Sequence, residues 1–307
     1  MMISLAPGSI FAQRYRIVRL IGQGGMGAVF EVVHVETERR CALKVMQPNM
    51  VDNEAMRARF RQEAKVAALV NSEHIVDVYD AGFDEVTQMP FLVMELLSGY
   101  ELRQKLKKDG KFTPPEVALY LHQTALALEK THRQNIIHRD LKPENLFLTF
   151  RENGAPHVKI LDFGVAKFMT ESASHTSATR DVGTPLFMAP EQFTMGSKPS
   201  AQTDIYALGM IAYHFLTGVS YWADDHGAAA TIYAFAVHVV QGIPEAPTIR
   251  ARRRGVNLPP AFDTWFARAT ARDPAQRFQS ALTAAAELAD ALGVPRFVSE
   301  PSALISN

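Results

Sequence analysis

The octapeptide His138-Arg139-Asp140-Leu141-Lys142-Pro143-Glu144-Asn145 is the most specific string in this chain of 307 residues. It sets a carboxylate, Asp140, and a carboxamide, Asn145, five residues apart in a loop held by Pro143. Asp140 can accept a hydroxyl proton and orient the nucleophile, and Asn145 offers an oxygen to a divalent cation. Downstream, Asp162-Phe163-Gly164 follows a short strand and supplies a second hard oxygen. A carboxylate, a carbonyl and nucleotide phosphates together suit Mg²⁺, which favours oxygen ligands and keeps several waters. His138 invites a zinc reading, but a single Cys and no His/Cys ligand spacing argue against structural zinc. Among Leu and Ile neighbours it reads as a packed core histidine.

Working upstream, Cys41-Ala42-Leu43-Lys44 ends an apolar strand on a cation. Glu63 follows nineteen residues later, in an amphipathic helix over 54–70 whose apolar stripe is Ala55, Phe60, Ala64, Ala67 and Ala68. A helix lying across the sheet would bring Glu63 to Lys44 and fix the ammonium toward phosphate oxygens. Phosphoryl transfer needs that positioning and charge neutralisation more than covalent help. Gly22-Gln23-Gly24-Gly25-Met26-Gly27 fits G-x-G-x-x-G. A dinucleotide fingerprint must open a helix, whereas Ala28-Val29-Phe30-Glu31-Val32-Val33 is strand-like. Strand, glycine turn and strand fold a hairpin over phosphates. No Gly-Lys-Ser/Thr string exists, which excludes a Walker A loop. Glycines lose roughly 0.5–1 kcal/mol each relative to Ala on ordering, and a ligand close to the backbone would explain four of them here.

Composition sets the outer bounds. Hydrophobic residues make up 47% and charged residues 21%, which excludes a disordered or collagen-like chain. Lys plus Arg and Asp plus Glu balance at 32 each, so no global bias points to nucleic acid. Roughly 150 residues per domain gives two domains or lobes. Cys41 alone cannot form an intrachain disulfide, and its apolar run makes it a buried packing residue. No start resembling a signal peptide and no run of about 18 apolar residues are present. The expectation is a cytoplasmic chain, or a cytoplasmic domain if the natural protein is longer.

Periodicity predicts strands over 15–20, 28–35, 41–46, 75–83 and 89–94, an antiparallel sheet carrying one helix. Beyond Gly99 the pattern turns helical: 101–108, then a helix to about His132 capped by Thr113 with Pro114 and Glu116, then 202–216, 228–241, 261–269 and 275–292. Short strands fall at 146–149 and 158–161. The Ser/Thr-rich stretch 170–180 reads as an exposed loop, and Arg250-Ala251-Arg252-Arg253-Arg254 as a solvated basic loop.

Taken in order, the glycine loop, Lys44, Glu63, the octapeptide, Asp162-Phe163-Gly164 and Ala189-Pro190-Glu191 resemble the Hanks-type, eukaryotic-like Ser/Thr protein kinases. The Gly-Gly-Met-Gly form of the loop resembles their bacterial branch, and the likeness covers about 15–292. It implies an α+β, two-lobed protein-kinase-like fold. An N-terminal extension at 1–14 would precede an antiparallel β-sheet N-lobe at 15–98 with one main helix. A mostly helical C-lobe at 99–292 and a flexible tail at 293–307 would follow. The implied activity is that of a non-specific Ser/Thr protein kinase. It would move the γ-phosphoryl group of Mg-ATP, with Mn²⁺ as substitute, to Ser or Thr hydroxyls of protein substrates. Self-association for trans-autophosphorylation is implied too; neither nucleic acid nor a membrane segment is.

By the same resemblance Gly22, Gly24 and Gly27 cover the ATP phosphates, and Val29 and Ala42 lie over the adenine. Met94 matches the gatekeeper and Glu95-Leu96-Leu97 the hinge that reads the adenine edge. Lys44 contacts phosphates, held by Glu63; Asp140 is the catalytic base; Lys142 neutralises charge; Asn145 and Asp162 hold the metal. Thr184 reaches toward Asp140, Asp204 orients the backbone of His138 and Arg139, and Glu191 pairs with Arg277. Thr203 stands where the family usually has Ser. Arg139 would receive a phosphate added to the loop, with Thr176 and Thr179 the favoured acceptors. Two rival readings are a nucleotide-binding pseudokinase scaffold and an ATP-dependent small-molecule kinase. Intact Asp140, Asn145 and Asp162 weigh against the first, and 183–191 against the second.

Overall fold

Alternation along the N-terminal third builds the first sheet. The computed structural model describes residues 3–24, 27–47, 54, 57, 58, 60, 70–162 and 185–297. Strands β1 (Ile10–Phe11), β2 (Tyr15–Gly24), β3 (Gly27–His34), β4 (Arg40–Met46), β5 (Val78–Phe83) and β6 (Pro90–Glu95) form an antiparallel sheet in the order β1-β2-β3-β4-β6-β5. Side chains two apart share a face. On β4, Cys41, Leu43 and Val45 therefore join a core with Phe11, Tyr15, Ile17, Phe30, Val32, Phe91 and Val93. Ala42 and Met46 face the other way, packing with Phe60, Val76, Leu92 and Met94. Lys44 has the parity of Ala42 and Met46. Burial also raises the pKa of Cys41, which suits an inert packing thiol.

Stretch 1–14 is more than an extension. Phe11 pairs with Tyr15 and Ile10 with Arg16, and the Ile3 and Phe11 side chains are buried in the core of the sheet. A second antiparallel sheet joins β7 (Tyr100–Glu101), β8 (Leu146–Phe150) and β9 (Pro156–Ile160). The segment at 74–76 runs parallel beside β9. Ile160 N donates to His74 O (2.9 Å) and Val76 N to Ile160 O (3.0 Å).

Two compact units divide the chain, one of Met1–Gln104 with Lys130–Pro185, the other of Lys105–Glu129 with Leu186–Asn307. The octapeptide and β8–β9 thus share a unit with the glycine hairpin, where periodicity alone suggests one cut at Gly99. Among the described residues the helices are α1 (Leu102–Asp109), α2 (Pro114–His132), α3 (Ala201–Thr217), α4 (Ala223–Ala228), α5 (Ile232–Gln241), α6 (Pro247–Arg253), α7 (Ala261–Ala269) and α8 (Ala281–Leu292); most of the helix expected over 54–70 lies outside them. At the start of α2, Glu116 Oε2 accepts the Thr113 amide (2.8 Å) and hydroxyl (2.7 Å). Helix α3 is buried without a break from Thr203 to Tyr213, as an apolar circumference requires.

Four expectations are corrected. Thr231 Oγ1 accepts Ala234 N (3.1 Å), so the helix expected at 228–241 begins at Ile232, after the separate short α4. The helix expected from 275 begins at Ala281, where Ser280 caps it. The basic run is largely the helix α6. Arg250 lies against the Tyr221 ring at 4.3 Å and pairs with Asp225 at 2.5 Å, so it braces the fold instead of facing water. Finally, the described part of the tail, 293–297, is held: Arg296 pairs with Asp290, and the Phe297 ring lies 5.7 Å from that of His122, while 298–307 lie outside the described residues. Among the described residues no helix is long and apolar enough to cross a membrane.

Candidate active site

The octapeptide ends in a 3₁₀ turn, Pro143–Asn145, with Pro143 at the first position, where a missing N–H costs nothing. Strand β8 starts at the next residue, and its register sets Leu146 opposite Ile160. Leu161 N then donates to Asn145 O (2.8 Å), which brings Asp162 beside the octapeptide although seventeen residues separate it from Asn145. His138 is fully buried and links the two segments. Its Nδ1 accepts the Asp140 amide (3.3 Å) and its Nε2 bonds Leu161 O (3.1 Å), which fixes the proton on Nε2.

Four charged groups and one amide converge there. Asn145 Nδ2 donates to Asp140 O (2.7 Å), leaving its amide oxygen as the acceptor the side chain can still offer. Lys142 Nζ lies 2.7 Å from Asp140 Oδ2. Lys44 Nζ, from the sheet, lies 2.5 Å from Asp162 Oδ2. Burial pushes the Asp162 carboxyl up, but the Lys44 charge and hydrogen bond outweigh it and hold the group below the usual carboxylate range. Two residues of this region adopt left-handed backbone without being glycine, Arg139 (φ 66°) and Asp162 (φ 55°). Such positions cost of order 1 kcal/mol or more and persist only where the surroundings over-determine them.

The hairpin β2–β3 pairs Gly22 with Val29 and Gly24 with Gly27. A Cβ on Gly27 would lie 2.1 Å from Val45 O, so the sheet itself demands glycine there. At Gly22 and Gly24 a Cβ would meet nothing within 4 Å, and the fold gives no reason for glycine. Val29, Ala42, Met94 and Leu97 gather in one apolar cluster with Met46, Phe60, Leu92, Leu96 and Leu161. Sequence reading missed the Glu95 side chain: it pairs with Lys159 on β9 and accepts Asp77 N (2.9 Å), while Glu95 N donates to Asp77 O (3.0 Å). The end of β6 is thereby fixed to β9. No motif marks that contact; it follows from strand register.

In the other unit Arg277 makes a two-pronged pair with Glu191, Nη1 to Oε1 and Nη2 to Oε2, both 2.8 Å. Its remaining donors reach Ala271 O (2.7 Å), Gln202 O (2.9 Å) and Arg272 O (3.3 Å). Thr203 Oγ1 donates to Glu191 Oε1 (2.8 Å) and accepts Ser200 N (3.0 Å), a double role no motif announces. Asp204 is buried in the first turn of α3. Glu63, Thr176, Thr179, Thr184, Phe163 and Gly164 lie outside the described residues.

With this geometry in hand, comparison with known proteins identifies the class: residues 15–287 match the protein kinase domain, and the chain belongs to that family. Serine/threonine-protein kinase PknD of Mycobacterium tuberculosis is 35% identical over 278 residues, 91% of this chain and 40% of that protein. Serine/threonine-protein kinase pkn3 of Myxococcus xanthus is 35% identical over 284 residues, 92% of this chain and 50% of its own length. The chain thus spans half or less of these two curated relatives. A crystal structure of the M. tuberculosis PknI kinase domain superposes with a TM-score of 0.72 at 27% identity, covering 95% of this chain and 100% of that one.

Proposed function

We propose that this domain is a Ser/Thr protein kinase that transfers the γ-phosphoryl group of ATP, with Mg²⁺ or Mn²⁺, to Ser and Thr hydroxyls of protein substrates. The observation that carries this reading is the paired arrangement Lys142–Asp140 and Lys44–Asp162, joined through Asn145 by the β8–β9 register. Its donor set suits a hard cation: the Asn145 amide oxygen and the Asp162 carboxylate are the oxygen ligands Mg²⁺ prefers. The bound metal would neutralise charge on the phosphates.

The chain's own groups then divide the work. Asp140 accepts the hydroxyl proton of the substrate. Lys142, hydrogen-bonded to the same carboxylate, keeps a positive charge beside the transferred group. Lys44 holds the α- and β-phosphates and, through Asp162, is already fixed in direction. Glu63 belongs to this set by family resemblance. Gly22 and Gly24 leave the hairpin bare of side chains where phosphates would approach, and the Val29–Ala42–Met94–Leu97 cluster is an apolar wall for adenine. Autophosphorylation, on Thr176 or Thr179 with Arg139 as the acceptor of the new charge, and Thr184 near Asp140, complete the reading. Asp204 would orient the backbone of His138 and Arg139. The setting we infer is the cytoplasm.

Incubation with labelled ATP, Mg²⁺ and a generic protein substrate tests it. We expect incorporation onto Ser and Thr, and a loss of about 10²–10⁴-fold in Asp140→Asn with nucleotide binding retained, the scale of a lost general base. Equal labelling by both removes Asp140 from its role, and nucleotide binding without any transfer favours a scaffold. Labelling of small metabolites in place of proteins favours the other rival.

A further inference from the structure

Away from the candidate active site, Glu73, His74 and His157 put one ligand atom each within 4.8 Å of one another. Residues 73 and 157 are far apart in sequence and no spacing motif links them; the parallel run of 74–76 beside β9 brings them together. Each imidazole spends one nitrogen on a backbone carbonyl. His74 Nδ1 bonds Val158 O (2.8 Å), and His157 Nε2 bonds Glu73 O (2.8 Å). Those bonds place a proton on Nδ1 of His74 and on Nε2 of His157. The opposite nitrogens, His74 Nε2 and His157 Nδ1, are left with in-plane lone pairs.

His157 is 7% exposed, and its Nδ1 is a buried atom with no hydrogen-bond partner. A buried polar atom left in that state is costly and calls for an explanation. His74 is 3% exposed, whereas the Glu73 side chain is 54% exposed and gives the cluster a route from solvent. Glu73 Oε1 lies 3.8 Å from His74 Nε2, and Arg151 holds the other oxygen at 2.5 Å. The rings lie 4.5 Å apart at 33°.

We propose that His74 Nε2, His157 Nδ1 and the Glu73 carboxylate form a binding site for a late first-row divalent ion, zinc in the first place, distinct from the nucleotide-associated Mg²⁺. Two imidazoles with one carboxylate suit zinc, copper or nickel and disfavour Mg²⁺ and Ca²⁺, which take oxygen ligands. An imidazole whose second nitrogen donates to a carbonyl is the usual outer support of a zinc-bound histidine. Ligand atoms around tetrahedral zinc stand about 3.3 Å apart, given Zn–N bonds of roughly 2.0–2.1 Å. Binding therefore draws the ligand atoms together by up to about 1.5 Å, with the exposed Glu73 side chain the freest of the three to move. Three protein ligands leave a fourth position for water. The ion would staple the segment at 73–76 to β9, whose end lies two residues from Asp162.

Cobalt(II), then zinc, titrated into the purified full chain in Mg²⁺-free buffer tests this. One equivalent of Co²⁺ is expected to give the visible absorption of a tetrahedral site, displaced by one equivalent of Zn²⁺, and zinc is expected to raise the thermal midpoint. His157→Gln should weaken zinc binding by about 100-fold or more, since even outer partners cost roughly 10–100-fold. Glu73→Gln removes a largely exposed carboxylate and its surface pair with Arg151, so it should weaken binding with little change in the metal-free midpoint. Absence of stoichiometric zinc binding by the native chain overturns the proposal, as does unchanged affinity in either variant.

Discussion

A methyl group on Gly27 would sit 2.1 Å from the Val45 carbonyl oxygen, whereas one on Gly22 or Gly24 would meet nothing within 4 Å. We therefore expect Gly27→Ala to lower stability by about 1–3 kcal/mol or more, the range of overpacking. Gly22→Ala and Gly24→Ala should hold or gain a few tenths of a kcal/mol, because alanine narrows the unfolded ensemble. The same two changes should raise the KM for ATP several-fold, since a side chain then stands where the phosphates approach. Thermal denaturation beside ATP kinetics reads both quantities. A large drop in the midpoint of Gly22→Ala would mean the fold, and not the ligand, demands that glycine. Sequence reading gives all the glycines of the loop one reason; cross-strand geometry separates them.

At the scale of elements, Arg277 explains why α8 starts late. A guanidinium with no exposed surface must meet Glu191 and three carbonyls, so residue 277 is extended and helix begins only past the Ser280 cap. The local pattern over 275–292 is helical throughout, and a tertiary ion pair overrides its first turn. The same reason hides α6, where Arg250 carries its charge inward to Asp225. Strands and buried helices are legible because their apolar period is local; pairings across long stretches of sequence are not. Of the site, the octapeptide, Asp162, Lys44 and the glycine loop were legible as strings, while the Glu95–Lys159 and Thr203–Glu191 contacts were not. Glu191→Ala is expected to cost about 3–5 kcal/mol, because it leaves the Arg277 charge buried and unpaired. Thr203→Val should cost about 1–2 kcal/mol, and Thr203→Ser almost nothing. Burial pushes the Glu191 carboxyl up, but the Arg277 hydrogen bonds and charge prevail and depress its pKa. The unfolded chain then binds more protons than the folded one between the two pKa values. This group's contribution is therefore complete above the ordinary carboxylate range of about 4.3 and fades as pH falls through the lower folded value. Denaturant titrations at stepped pH should show a shallower acid loss in Glu191→Gln than in the native chain; parallel curves would contradict the linkage.

Over the whole molecule, the proposed nucleotide-handling groups and the Glu191–Arg277 brace fall in different compact units. Lys44, Asp140, Lys142, Asn145, Asp162 and the Val29–Ala42–Met94–Leu97 cluster all belong to Met1–Gln104 with Lys130–Pro185. A ligand that binds only the native state adds stability as the logarithm of its concentration over Kd, about 2.7 kcal/mol at a hundredfold excess. It slows local opening where its contacts lie, because amide exchange follows local stability. Mg-ATP should therefore slow deuterium exchange in β2, β3, β4, β6 and in 138–162, and leave the core of α7 and α8 unchanged. Glu191→Ala should lower the thermal midpoint while the folded molecules keep their ATP Kd within about threefold, since independent sites without shared partners add within roughly 0.3–0.5 kcal/mol. Exchange mass spectrometry with nucleotide, run on both proteins, separates the two effects. Protection by ATP spread equally over α7 and α8, or an ATP Kd lost along with the brace, would mean that the nucleotide is not held by the first unit's own residues.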